Sequence, residues 1–83
     1  MKTELELNEK LNENDYYPSL FTNEYKSIII LANERVGDKT FSGMIIHSNN
    51  SGKIGLYATG WTYQQFKRIP KGSEVKIKII QED

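Results

Sequence analysis

The chain has 83 residues, 37% of them hydrophobic, with eleven Lys/Arg against eleven Asp/Glu and no cysteine. That length makes one domain, near the lower end of what a hydrophobic core holds together alone. Without cysteine there is neither a disulfide framework nor a thiolate metal site. The longest apolar run, residues 28–32, is too short to cross a bilayer.

The net charge of zero is unevenly spread. Residues 1–38 carry four Lys/Arg against eight Asp/Glu, whereas residues 39–80 carry seven against Glu74 alone. An acidic arm set against a basic body is one reading. The plainer one is that solvent-facing lysines keep a small sheet soluble. "MKTELELNEK" has no apolar core of a secretion signal, so the expected compartment is the cytoplasm.

Residues 1–24 read as an N-terminal arm packed on a barrel formed by residues 25–83. "TELELNEKLNEN" suits a short helix, with Thr3 and Glu6 as a capping box, and its Leu5/Leu7 alternation suits a strand equally well. Pro18 then breaks any regular element. Tyr16, Tyr17, Leu20 and Phe21 give the arm side chains to bury.

From Tyr25 the pattern is β. "KSIIILAN" (26–33) is a β-branched run expected of a strand covered on both faces. "ERVGDKT" makes a turn, and "FSGMIIHS" (41–48) a second strand in which Gly43 marks a bulge or bend. Alternation places His47 on the face of Phe41 and Ile45. "NNSG" is a hairpin loop leading to a third strand, "KIGLYATGW" (53–61). "EVKIKII" (74–80) alternates cleanly, with Val75, Ile77 and Ile79 inward and Lys76, Lys78 and Ile80 outward.

Between these last two strands the sequence predicts one short helical turn. Thr62 and Gln65 form a capping box, Trp61 and Phe66 a hydrophobic staple, and Ile69 shares the face of Phe66 before Pro70 stops the helix. These five residues are read as structural. Tyr63, Gln64, Lys67 and Arg68 are then left on the solvent face. With Tyr57 and the lysines Lys53, Lys76 and Lys78 they make the candidate ligand-binding surface.

Catalysis finds no support. His47 is the only histidine, Ser48 beside it points to the other face, and no glycine precedes a Lys-Ser/Thr pair as a phosphate loop requires. One histidine without clustered carboxylates leaves too few metal ligands. The chain is therefore expected to be neither an enzyme nor a cofactor protein.

The element order is an arm, three meandering strands, a short helix and a closing strand. Over residues 25–80 it resembles small SH3-like barrels of about five strands. The resemblance does not extend to proline-rich ligands, because the acidic loops and paired aromatics of signalling SH3 domains are missing. An OB-like barrel is the alternative, and needs one more strand after the helix. The function expected is a non-catalytic binding or adaptor domain whose partner is another protein or a second copy of itself. A nucleic-acid-binding barrel is the alternative.

Overall fold

The computed structural model describes residues 1–8 and 17–81. They form seven strands: β1 (Lys2–Asn8), β2 (Ser19–Asn23), β3 (Ile28–Arg35), β4 (Thr40–Ser48), β5 (Tyr57–Thr62), β6 (Phe66–Arg68) and β7 (Glu74–Ile80). A single 3-10 turn covers Ser51–Lys53. The fold is mainly β, in two antiparallel sheets. One has five strands in the order β5-β4-β3-β2-β6, and the other is the ribbon β1-β7. No helix among the described residues is long and apolar enough to cross a membrane.

The two outermost strands of the large sheet, β5 and β6, are consecutive in the chain and joined only by Tyr63–Gln65. Three residues cannot span the width of a flat five-stranded sheet, since neighbouring strands lie about 4.8 Å apart. The sheet therefore curls until its edges face each other. Trp61 of β5 meets Phe66 of β6 edge-on, with ring centroids 5.6 Å apart. No described ladder of hydrogen bonds joins those edges, so the sheet is not a closed barrel.

The concave face holds the core: Phe21, Ile30, Ala32, Phe41, Ile45 and Phe66, with Tyr17, Ile28, Trp61 and Tyr63 packed around it. Phe41 lies at its centre, 4.1 Å from Phe21 and 5.2 Å from Tyr63 between ring centroids. Gly43 fits where no side chain can. A Cβ there would lie 2.5 Å from the Leu31 carbonyl oxygen and 2.8 Å from Ala32 Cα. Register shifts lie beside this glycine in both its pairings, but the extra residues belong to the neighbouring strands, Asn33 in β3 and one residue of β5, so the bulge expected in β4 itself is not at Gly43. Its carbonyl accepts a 2.9 Å hydrogen bond from Trp61 Nε1, fastening β5 to β4 where the register shifts.

Several sequence expectations change here. The helix expected over residues 62–69 is a turn followed by β6. Thr62 Oγ1 does accept from the Gln65 amide at 3.3 Å, but Phe66–Arg68 then pair with Phe21–Asn23. A one-turn helix satisfies few of its own backbone groups, and the ladder to β2 satisfies more. Trp61 and Phe66 pack as expected, whereas Ile69 lies on the face opposite Phe66 because strand alternation replaces helical spacing.

The third strand starts at Tyr57, not Lys53. Asn50 Oδ1 accepts from the Gly52 amide and starts the 3-10 turn, and Gly55 has φ +94°, which no strand adopts. Ser19–Asn23, read from sequence as arm, is a strand inside the large sheet. Residues 2–8, whose backbone the sequence left open between helix and strand, form β1. β7 closes no sheet with the meander but pairs with β1, and Ile79 is 66% exposed while Ile80 is half-buried. The expectation for Tyr16 lies outside the described residues.

His47 also changes face. Ile29 pairs with His47 and Ile30 with Ile45, so Ile46 is an extra residue in β4. Consecutive residues of β3 point oppositely, and His47 therefore faces away from Ile45. There β1 rests on β4, and Thr3 Oγ1 hydrogen-bonds His47 Nδ1.

Candidate functional site

The eight candidate ligand residues do not form one surface. Lys76 and Lys78 lie on the ribbon, opposite Glu6 and Glu4 respectively. The Lys76 ammonium is 3.0 Å from Glu74 and 4.0 Å from Glu6. Lys53 is exposed at the end of the 3-10 turn. These three lysines thus sit on different elements from the aromatic residues they were grouped with.

Tyr63 and Arg68 turn inward and cap the core. The Tyr63 hydroxyl is hydrogen-bonded to the Tyr17 hydroxyl. The Arg68 guanidinium lies 4.9 Å from the Tyr17 ring centroid and 4.8 Å from that of Phe21, and its Nε donates to Ser19 Oγ at 3.0 Å. Arg35 covers the outer side of the Tyr63 ring at 4.9 Å. Burial, and then the bond to Tyr17, push the Tyr63 pKa up to about 12 against the opposing pull of both guanidiniums. The pair is a polar lid on an aromatic core, and its cations are held by ring faces.

Tyr57 lies on the convex face of the sheet. Across the ladders it pairs with Met44, Met44 with Leu31, and Leu31 with Leu20. Tyr57, Met44 and Leu31 are 56%, 39% and 41% exposed. The result is an apolar row running straight across three strands, next to the half-buried Leu20. Sequence alternation hinted at it through Leu31 and Met44, but the row exists only once the register aligns them.

Gln64 and Lys67 line a groove of about 850 Å³ between the β2–β3 and β5–β6 turns. Asn23, Glu24, Tyr25, Thr62, Gln65 and Phe66 complete its walls. Lys67 Nζ donates to the Tyr63 carbonyl at 3.2 Å, which holds the ammonium at the groove. Tyr25, 84% exposed, is the residue sequence reasoning passed over. The signal was the polar run "NEYKS" between two β runs, with Asn23 placed to cap the turn.

His47 is the buried ionisable group apart from these surfaces. Burial pushes its pKa below the ordinary imidazole value. Below about pH 6.5 the unfolded chain takes up a proton that the folded His47 resists, so stability is full above that pH. It falls as the pH drops toward the lowered folded value. Urea midpoints measured between pH 7.5 and 5.5 should decline in the wild type and run flatter in His47→Gln. Parallel profiles would remove His47 as the source.

Among the described residues no three His, Asp or Glu side chains gather to hold a metal ion. No protein family, curated protein or solved structure matches the chain.

Proposed function

We propose that this chain has a small SH3-like fold, its curled sheet left open between β5 and β6, and acts as a non-catalytic binding domain that engages another protein. The observation that carries the reading is the apolar row Leu31, Met44 and Tyr57 on the convex face. Three large side chains aligned on a solvent face add nothing to the core on the other side, and a contiguous apolar stripe is a contact surface by default. The strand order, with a three-residue turn bringing the last short strand beside the first of the meander, supports the SH3-like description. The cysteine-free composition suits a reducing cytoplasm.

The nucleic-acid alternative draws less support. Its lysines are dispersed over three elements, and Lys76 and Lys78 face carboxylates across the ribbon. Phosphate contacts also weaken steeply with salt, whereas apolar ones do not.

The test compares the wild-type chain with Leu31→Glu/Met44→Lys as bait in a lysate of its own cells. Both residues are exposed, so the variant should fold. A partner protein retained at about 0.5 M salt, where surface charges are screened, and bound at least tenfold more weakly by the variant is expected. Retention of nucleic acid alone, lost at high salt and indifferent to the variant, would replace this reading with the alternative.

A further inference from the structure

We infer that the groove between the β2–β3 and β5–β6 turns is a second binding site, specific for an extended peptide carrying a ring residue close to a carboxylate. The inference rests on the reading of the chain as a protein-binding domain, and places on it a site distinct from the convex row.

The first argument is the way Tyr25 is presented. Asn23 Oδ1 accepts from the amides of Ser27 (2.9 Å) and Ile28 (3.2 Å), and its Nδ2 donates to Ser27 Oγ at 2.8 Å. The Lys26 amide closes the turn onto the Asn23 carbonyl at 3.0 Å. Lys26 itself sits at φ +55°, a left-handed conformation uncommon for a residue with a side chain. Four hydrogen bonds and a strained backbone thus fix a turn whose central aromatic ring is left in water. With its backbone fixed by the turn, Tyr25 has only its two side-chain torsions to lose when a ligand covers the ring, and such backbone preorganisation favours binding.

The second argument is the groove beside it. Its volume of about 850 Å³ falls within the range of about 300–1,000 Å³ typical of ligand sites. Its far wall carries Gln64 and Gln65, both exposed, whose side-chain amides both donate and accept. Side-chain amides of this kind match the alternating N–H and C=O groups of an extended main chain. Phe66 supplies an apolar floor from the core side.

The third argument is charge. Lys67 brings one cation to the lining and Glu24 one anion. A single carboxylate on the ligand is accommodated by Lys67, while a polyanion meets Glu24 and is repelled. One cation beside one anion disfavours a polyanion such as nucleic acid and leaves Lys67 to pair a lone carboxylate. The Tyr25 ring takes the flat side chain, proline or aromatic, by face-to-face or edge contact.

The experiment pans a display library of random dodecapeptides against the immobilised full-length chain, then titrates the enriched sequences as synthetic peptides into isotope-labelled protein. Enrichment of a proline or aromatic within a few positions of Asp or Glu is expected, with amide shifts at Tyr25, Gln64, Gln65 and Lys67. Tyr25→Ala and Lys67→Glu, both at exposed positions, should each weaken binding about tenfold. A peptide with its acid exchanged for lysine should recover affinity for Lys67→Glu. Peptides that shift only Leu31, Met44 and Tyr57 would overturn this site and leave the protein-binding reading standing. Failure of any peptide to enrich would overturn the site too, and the lysate experiment would then decide the broader reading alone. Unchanged affinity in Tyr25→Ala would likewise overturn it.

Discussion

Phe41→Ala should lower the unfolding free energy by about 4 kcal/mol, the largest loss expected from a single side chain in this fold. Phe41 is wholly buried and stacks against Phe21 at 4.1 Å while touching Tyr63 and Phe66 from other directions. Its neighbours come from β2, β6 and the turn before β6, so no single element can shift to fill the gap. A chain of this length holds only about 4–12 kcal/mol in total. The variant should therefore lose at least about a third of that stability, read as a lowered urea midpoint, or as an absent transition if the wild type lies at the low end of the range. Phe41→Leu, which keeps most of the volume, should cost about 1–2 kcal/mol. A loss below about 1 kcal/mol in Phe41→Ala would show that the aromatic cluster does not anchor the fold.

Gly43→Ala should cost about 3 kcal/mol, because the added methyl has nowhere to go. Two of the three atoms it would meet, the Leu31 carbonyl oxygen and Ala32 Cα, belong to the backbone of the neighbouring strand. Flexible side chains can yield to a small intrusion, but a hydrogen-bonded strand can do so only by breaking register. The Gly43 carbonyl holds the Trp61 indole, the only tryptophan in the chain, so its fluorescence reports the same disturbance. Gly60→Ala is the matched control. Nothing lies within 4 Å of a Cβ there, and the change should stay within about 0.5 kcal/mol of wild type. Equal effects at the two glycines would refute the close-approach argument.

These two residues also show how far sequence reasoning reached. Gly43 inside a β-branched run signalled an irregularity, and one is there, but the glycine is needed for the close approach of β3 and the extra residues sit in β3 and β5 opposite it. β3, β4 and β7 were legible because alternation and branching are local properties. β6 was not legible. Its three residues adopt strand geometry because β2, some 45 positions earlier, offers a ladder, and no local pattern records that offer. The capping box at Thr62 was a correct reading of one hydrogen bond attached to the wrong element.

The candidate site divided along similar lines. Residue type correctly flagged Tyr57, Gln64 and Lys67 as solvent-facing. It had no means of telling that Arg68 would lie over two rings or that Lys76 would face Glu6. Those outcomes depend on pairing partners far away in the chain. His47 is the sharpest case, since a single inserted residue, Ile46, moved it to the opposite face. Tyr25 was given no role, standing just before the strand read over residues 26–33, and only the Asn23 clasp reveals it as part of a fixed turn.

The β1–β7 ribbon sets the order in which the molecule is able to assemble. Lys2 is paired with Ile80 and Asn8 with Glu74, so contacts here join residues separated by nearly the whole sequence. During synthesis the first strand emerges without its partner and waits until residues 74–80 follow. The hairpins β3–β4 and β4–β5 have no such delay, being built from neighbours. Zippering from the middle outward, with the ribbon last, is the route that loop entropy favours. Because the paired strands bring positions 2 and 80 side by side, everything between them forms one long loop whose two ends are clasped by the ribbon.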